Sequence, residues 1–201
     1  MMREVIEESL ANQFRQTGYL AFGSHDCPFS PEERARIRHL AMNDPDRFVV
    51  VSTGDTDEAV SVRVHRLLID GDRPRATDAV LVDALLAIVA APGKLALYEK
   101  ILASEPVVVR RMQAHVLAEG EFIGRHRDSE SSKRYLAAVI VQLNPAEAGG
   151  GFAIYPPDRP ALFLHDFTVL VTDAELEHEV MPVMAGRRCT LAFWLARAET
   201  C

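Results

Sequence analysis

The stretch GRHRD, residues 124–128, places a histidine and an aspartate two positions apart, at His126 and Asp128. In a strand, residues i and i+2 point to the same face, with their Cα atoms about 6.5–7 Å apart. An imidazole and a carboxylate at this spacing fit as two ligands of one metal ion. The chain carries 7 histidines among 201 residues with 29 acids, so one such pair is expected by chance and needs support from elsewhere.

A second histidine, His178, begins the segment HEVMPVMAGRRCTLAFW, 50 residues after Asp128. A histidine at the start of a late strand can reach the same ion from the opposite wall of a barrel. Two histidines and one carboxylate occupy one face of an octahedral iron(II), and three positions stay open for a cosubstrate and O2. Imidazole and carboxylate suit iron(II) without any thiolate, so the set of His126, Asp128 and His178 favours an iron site.

A candidate anion-binding pair follows ten residues after His178. The guanidinium of Arg188 can make a bidentate contact with a carboxylate that reaches away from the metal. Thr190 lies two residues further on, on the same strand face, and can add a hydroxyl donor. Arg187 points the other way in a strand and is expected to face solvent.

The elements that must position these groups differ between the two halves of the chain. The first half is predicted to be mainly helical, with a capping box at Ser30 and Glu33 and the following helix ending near Asn43. Thr77 is predicted to cap the helix LVDALLAIVAA. The other predicted elements here are a first helix through Leu10 and Phe14, a helix in KLALYEKILAS, and strands in FVVVS and AVSVRVHRLLI.

From about Val107 the sequence consists of short β-branched or aromatic segments, several of them separated by turn residues such as Gly149–Gly151. Regular short strands of this kind favour a sandwich or a barrel over βαβ units. We therefore expect an α+β fold in a single domain, 1–201. Helices over about 1–104 would pack on an all-β part over about 105–197.

Composition excludes several classes of protein. The net charge of −7 argues against a nucleic-acid-binding surface and against anionic membranes. No apolar run reaches the length of a membrane span, and charges stand where a signal peptide needs an apolar stretch. Three cysteines without a short spacing fit a reducing compartment and exclude a cysteine-based zinc finger. A cytoplasmic protein is expected.

The segments GEFIGRHRD, QLNPAEAGGGFAIY and HEVMPVMAGRRCTLAFW resemble the iron(II)/2-oxoglutarate-dependent oxygenases, in particular their prolyl-4-hydroxylase-like branch. The resemblance covers about residues 107–196. It implies a double-stranded β-helix, the jelly-roll or cupin-like fold, and Fe(II), 2-oxoglutarate and O2 as cofactor and cosubstrates. It implies His126, Asp128 and His178 as iron ligands, and Arg188 as partner of the distal 2-oxoglutarate carboxylate, with Thr190 helping to hold it.

The sequence departs from the pattern of this family at two positions. Leu117 stands where relatives often have a tyrosine, and His115 on the same strand face is either its substitute or a structural histidine. Gln142 stands where many relatives have another tyrosine, and its amide can replace that hydroxyl as a donor to 2-oxoglutarate. Related halogenases carry a small residue at the carboxylate position, so Asp128 disfavours halogenation.

The resemblance implies a dioxygenase that hydroxylates an unactivated C–H bond of a small molecule, such as an amino acid or a natural-product intermediate, and releases succinate and CO2. Arg127 and Tyr155 are candidate substrate contacts. A peptidyl, prolyl-type hydroxylase stays open, as do desaturation and ring closure. The alternatives from other classes are a non-catalytic cupin-like module that binds a metal or ligand, and a cupin dioxygenase without an oxo acid.

Overall fold

The structure is a computed structural model that describes residues 2–104 and 106–198. Its helices are α1 Met2–Thr17, α2 Pro31–Met42, α3 Ala79–Val89, α4 Pro92–Leu102 and the short α5 Asp128–Ser131, with a 3-10 turn at Pro45–Arg47. Its strands are β1 Tyr19–Phe22, β2 Val49–Thr53, β3 Ala59–Ile69, β4 Arg75–Ala76, β5 Val107–Ala118, β6 Phe122–His126, β7 Tyr135–Asn144, β8 Ala148–Gly149, β9 Phe152–Tyr155, β10 Leu162–Leu164, β11 Val169–Asp173, β12 Glu177–Val180, β13 Val183–Ala185 and β14 Arg187–Arg197.

The strands form a curled antiparallel sheet in the order β1-β11-β7-β14-β5-β3-β6-β12-β9-β10. β2 and β4 also pair with β3, and β13 pairs with β8. The link between β3 and β6 is short, at Val60–Ile123 and Ser61–Phe122, and the sheet turns over there. The strands from β1 to β3 in this order therefore form one wall of the fold, and β6, β12, β9 and β10 form the wall that faces it. This arrangement confirms the predicted double-stranded β-helix.

Alternating side chains divide the interior into two cores. In β14, Leu191, Phe193 and Leu195 pack in the core that contains the helices, whereas Ala192 and Trp194 pack in the core between the two walls. The period of two in a strand produces this division, because successive side chains point to opposite faces. The helices contribute to the first core through buried side chains, among them Phe14, Ile37, Ala41, Leu85, Tyr98 and Ile101.

The start of α2 confirms the predicted capping box. The Oγ of Ser30 accepts a hydrogen bond from the backbone N–H of Glu33 at 3.2 Å, and Glu33 Oε2 accepts one from the N–H of Ser30 at 2.8 Å. Two backbone donors that the helix leaves unpaired are thereby satisfied. The helix ends at Met42, next to the predicted end at Asn43.

The predicted cap of α3 was wrong by one residue. Asp78, not Thr77, is the N-cap, and its side chain accepts from the N–H of Leu81 at 3.1 Å. The Thr77 hydroxyl instead donates to the carbonyl oxygens of Arg66 and Leu67 in β3. The tertiary contact with the neighbouring strand decides which of the two candidate caps is used.

The N-terminal part contributes four strands, of which β2 and β3 were predicted and β1 and β4 were not. β3 lies inside the sheet, between β5 and β6, and β1 extends the other edge by pairing with β11. β1 is too short for its alternation to be recognised in the sequence. Within residues 2–104 and 106–198, no single helix is long and apolar enough to span a membrane; α3 and α4 meet that test only together, across a bend of 62°.

Candidate metal centre

Three side chains that can bind a metal meet between the two walls of the sheet: His126, Asp128 and His178. Their ligand atoms all lie within 4.8 Å of one another. Nε2 of His126 is 3.7 Å from Oδ1 of Asp128, and Nε2 of His178 is 3.7 Å from Oδ2 of Asp128. Ligands bound at about 2.1 Å to one ion lie at most about 4.2 Å apart, so both distances fit a shared ion.

The pairing of β6 with β12 brings the two histidines together. His126 and His178 are direct partners in this antiparallel ladder, and their ring centroids are 4.4 Å apart. Direct partners in a ladder point to the same face of the sheet. His178 comes from a late strand, as predicted, but the expected approach from the opposite wall was wrong, because β12 lies beside β6 in the same wall.

Each imidazole is oriented by its own backbone. Nδ1 of His126 lies 2.8 Å from the carbonyl oxygen of Gly124, and Nδ1 of His178 lies 2.8 Å from that of Leu176. A carbonyl oxygen can only accept, so each Nδ1 carries the proton and each Nε2 presents a lone pair in the neutral ring. Hydrogen bonds of this kind commonly orient histidines that bind metals.

Asp128 is a buried carboxylate. It is 4% exposed, and its Oδ2 has no hydrogen-bond partner among the described residues. Burial raises the pKa of Asp128, but the charges of His178 and His126 and a hydrogen bond from His126 outweigh burial and lower it overall. A buried, ionised carboxylate without full hydrogen bonding is costly, and a cation at this point would satisfy it.

The histidine pKa values are shifted in opposite directions. Burial lowers the pKa of His178, and the charge of Asp128 offsets this only in part. For His126, burial also lowers the pKa, but the hydrogen bond and charge of Asp128 outweigh it, so the pKa is raised. Asp128 therefore interacts with both rings.

The backbone around Asp128 differs from the sequence prediction. His126 ends β6, whereas Asp128 begins α5, so the two residues do not share one strand. Arg127 between them is still extended (φ −122°, ψ 133°), so the two side chains point to the same side, as the predicted spacing requires, although Asp128 itself begins α5.

The approach of β6 to β3 requires a glycine. A Cβ at Gly124 would lie 2.3 Å from the carbonyl oxygen of Ala59. Glycine at this position therefore lets the strand that ends in His126 lie close against β3.

The three side chains line a cavity that Arg188 and Thr190 also line. Arg188 is only 1% exposed, and its Nη2 has no hydrogen-bond partner among the described residues. Burial lowers the pKa of Arg188 to about 10, so its guanidinium is charged at neutral pH. A buried cation without a protein anion is suited to bind an anionic ligand.

Thr190 lies between two candidate polar partners in the sheet. It is 1% exposed, and it pairs with His115 of β5 on one side and with Gln142 of β7 on the other. His115 lines the cavity, whereas Gln142 does not, although its buried Oε1 lacks a partner among the described residues. Leu117 is fully buried and pairs with Arg188. His115 therefore lies at the cavity, which the sequence alone could not establish.

Two predicted substrate residues are not brought into the cavity. Tyr155 pairs with Glu177 on the outer face of β12, its hydroxyl donates to Glu179, and Arg125 lies over its ring at 3.9 Å. The Arg127 guanidinium is exposed and lies 3.9 Å from the Glu130 carboxylate. Arg127 was predicted near the site because it follows His126, and Tyr155 because it fits a strand position in the pocket wall, but both side chains point outward.

Sequence reasoning also missed two polar groups in the cavity, Arg111 and Gln113. Arg111, Gln113 and His115 occupy alternate positions of β5 and all line it. Trp194 lines it as well. The alternation of polar residues in RMQAH was the available signal: it predicts that these side chains share one face of a strand, but not which way that face points.

A family model described as the 2OG-Fe(II) oxygenase superfamily matches residues 112–196. The crystal structure of an oxidoreductase of the 2OG-Fe(II) oxygenase family from Burkholderia pseudomallei is 26% identical, with a TM-score of 0.84, over 97% of this chain and 92% of that chain. A comparison with curated protein sequences gives no match.

Two further crystal structures are similar in fold alone. A prolyl-4-hydroxylase from Pseudomonas putida is 18% identical, with a TM-score of 0.66, over 96% of this chain and 100% of that chain. SnoN, a non-heme alpha ketoglutarate dependent epimerase from nogalamycin biosynthesis, is 16% identical, with a TM-score of 0.71, over 97% of this chain and 84% of that chain.

Proposed function

The chain belongs, through residues 112–196, to the 2OG-Fe(II) oxygenase superfamily, and on this premise we propose that it hydroxylates an unactivated C–H bond of a small molecule. It is therefore an oxidoreductase of the dioxygenase class, with Fe(II), 2-oxoglutarate and O2 as the cofactor and cosubstrates of its family. One observation carries the proposal: the three metal-binding side chains share a cavity with a buried guanidinium that has no ion-pair partner among the described residues.

The first proposed task of the protein is to hold the metal. His126 and His178 would bind it through Nε2, since their Nδ1 atoms donate to backbone carbonyls, and Asp128 would bind it through a carboxylate oxygen. This set of two histidines and one carboxylate is typical of non-haem iron(II) oxygenases. With iron(II) bound, the overall reaction converts the substrate C–H, 2-oxoglutarate and O2 into the hydroxylated product, succinate and CO2.

The second proposed task is to hold 2-oxoglutarate. Arg188 would bind its distal carboxylate in a bidentate contact, and Thr190 would add a hydroxyl donor from the same face of β14. The Gln142 amide is the third proposed donor, next to Thr190 across the ladder. Burial of these groups excludes water, which strengthens the ion pair with the carboxylate.

The third proposed task is to enclose a small substrate. The cavity combines apolar walls with a few polar groups, as is typical of small-molecule sites. Its walls are largely apolar, with Val60, Val62 and Val64 from β3. These three residues come from the N-terminal part, which supports the proposal that the chain acts as one domain over 1–201. A cytoplasmic location stays a prediction from the cysteine content.

A peptide substrate is the second candidate function. Prolyl hydroxylases are among the similar structures, one of them in complex with a peptide fragment. The strand β2 at the side of β3 also exposes apolar residues, Val49 at 49% and Val50 at 72%, and an exposed strand can pair with an extended peptide. The small molecule is favoured because the charged groups of the site lie inside the cavity.

The experiment that tests the proposed function is the formation of succinate from 2-oxoglutarate with Fe(II), in the presence of a metabolite mixture, with a mass gain of one oxygen atom in the product. The variant His178→Ala is expected to abolish succinate formation, because it removes one of three ligands. His39→Ala, which changes an exposed histidine on α2, is the matched control and should match the wild type. Near-wild-type succinate formation by His178→Ala would contradict the assignment.

A further inference from the structure

The cavity has a second cationic end, at Arg66 and Arg111, and we propose that these two guanidinium groups bind a carboxylate of the substrate. The inference rests on the proposed oxygenase function and adds to it a substrate class, a small molecule that carries a carboxylate. Both side chains line the same cavity as the metal-binding residues, and both also line a second, adjoining cavity that is more open to solvent.

Arg111 of β5 and Arg188 of β14 both line the cavity, but they lie far apart along the ladder that joins these two strands. Arg188 pairs with Leu117, whereas Arg111 pairs with Trp194. Six residue steps of β14 separate these pairs, which corresponds to about 20 Å along the strand. A single dicarboxylate of the size of 2-oxoglutarate cannot span this distance, so Arg111 is available for a different anion.

Arg66 places a second positive charge beside Arg111. It extends the cavity-facing row of Val60, Val62 and Val64 on β3, and it pairs with Gln113 of β5. It is therefore a diagonal neighbour of Arg111 on the same face. Arg66 is exposed and forms no ion pair with any described residue. Like charges at neighbouring sheet positions repel each other, and an anion between them would remove this repulsion.

Arg111 is held in place before any ligand binds. Its guanidinium lies over the ring of Trp194 at 4.7 Å. The Gln113 amide forms hydrogen bonds through both its oxygen and its nitrogen when these two atoms are exchanged. In that orientation the oxygen accepts from Nε of Arg111 at 3.0 Å, and the nitrogen donates to Nε2 of His115 at 3.0 Å. Because Arg111 is fixed by stacking and hydrogen bonding, little side-chain entropy is lost when it binds a carboxylate.

The anion that Arg111 contacts within the protein is replaceable. Nη2 of Arg111 pairs with Asp55, whose side chain is 47% exposed and lies in the turn between β2 and β3. A carboxylate of the substrate can take this place, because an exposed ion pair contributes little stability.

The other acids around this end are mostly engaged elsewhere. Asp70 pairs with Arg110 at 2.8 Å, and Glu58 accepts hydrogen bonds from the N–H and the hydroxyl of Thr56. Asp72 lines only the outer cavity. Asp55 and Glu58 line the inner cavity beside Arg66 and Arg111, so the two acids balance the two arginines in number, and a substrate carboxylate would take the place of Asp55 at Arg111. The apolar wall next to it would accommodate the hydrocarbon part of a carboxylic acid.

The test is a calorimetric titration of the full-length protein loaded, without O2, with Mn(II) and 2-oxoglutarate. The probes are the standard L-amino acids and short straight-chain fatty acids, each compared with its own carboxamide. At least one acid is expected to bind, and its carboxamide should bind at least about tenfold more weakly. Arg111→Gln should weaken binding of that acid by about 10- to 100-fold, as is typical for hydrogen bonds to charged groups.

Two further variants make the result specific. Arg66→Gln changes an exposed side chain, so it tests the site even if Arg111→Gln does not fold, and it should weaken binding of the acid by at least about threefold. Arg63→Gln is the matched control, because Arg63 is on the same strand β3 but lies outside the cavity, where it pairs with Glu121 at 3.2 Å. It should leave binding unchanged.

The outcomes separate this inference from the proposed function. If the wild type binds neither Mn(II) nor 2-oxoglutarate, the proposed function fails and the inference falls with it. If the loaded protein forms but no acid of the panel binds, the carboxylate site alone is wrong. The carboxylate site is also wrong if acids and their carboxamides bind equally well. It is wrong as well if Arg66→Gln, and Arg111→Gln where it folds, bind the acid as tightly as the wild type.

Discussion

Replacing Arg188 by methionine should weaken 2-oxoglutarate binding strongly. The guanidinium is 1% exposed and charged, and its Nη2 has no hydrogen-bond partner among the described residues. A bidentate contact with a carboxylate contains two charged hydrogen bonds, each contributing about 1.5–3 kcal/mol. Loss of about 3 kcal/mol or more corresponds to at least about 100-fold in the dissociation constant.

The same replacement should not destabilise the ligand-free protein. Burial lowers the pKa of Arg188 to about 10 from an ordinary 12.5, which corresponds to roughly 3 kcal/mol of desolvation cost for the charged form. Methionine removes this buried charge and fills much of the same volume. Replacing buried charges by apolar groups is often neutral or stabilising by about 1–4 kcal/mol. We therefore expect the free energy of unfolding to stay constant or to rise by about 1–3 kcal/mol.

The two measurements are calorimetric titration of 2-oxoglutarate in the presence of Mn(II), and urea unfolding of the metal-free protein. Arg187→Met, which changes the exposed neighbour on the opposite face of β14, is the control and should alter neither value by much. Arg188 would have a structural role instead if its replacement lowered the free energy of unfolding by more than about 2 kcal/mol and left the affinity for 2-oxoglutarate unchanged. That combination would refute the reasoning.

Two other substitutions test the surroundings of the site. Gly124→Ala should lower the free energy of unfolding by about 1–3 kcal/mol, because the new Cβ would lie 2.3 Å from the backbone oxygen of Ala59. It should also weaken Mn(II) binding at least about tenfold. If urea unfolding and metal titration both gave wild-type values, the close contact between the strands would be contradicted. Gln142→Leu should leave stability nearly unchanged, because its buried Oε1 has no partner among the described residues. It should raise the 2-oxoglutarate dissociation constant about two- to tenfold, as expected for one neutral hydrogen bond, and no change in a calorimetric titration would remove Gln142 from the site.

Local signals in the sequence predicted much of the fold. The capping box at Ser30 placed the start of α2, and the alternation of valines from Val60 to Val64 placed β3. Each of these features depends only on residues that are close together in the sequence, so it can be predicted without knowledge of the fold. The assignment of Asp78 as the cap of α3 could not be predicted in the same way, because it depends on a contact of Thr77 with another strand.

The candidate site was predictable in its chemistry but not in its geometry. Residue types and order were sufficient to single out His126, Asp128 and His178. The outward direction of Tyr155 and the inward direction of Arg111 depend on how β9 and β5 pair with their neighbours. A shift of one residue in such pairing would exchange the two faces, and nothing local in the sequence fixes it.

A crystal structure with Mn(II) and an unreactive analogue of 2-oxoglutarate tests the central claim most directly. We predict the metal at about 2.0–2.3 Å from Nε2 of His126, Nε2 of His178 and a carboxylate oxygen of Asp128. The distal carboxylate of the analogue should contact the guanidinium of Arg188. A metal bound elsewhere, or an analogue that does not reach Arg188, would contradict the account.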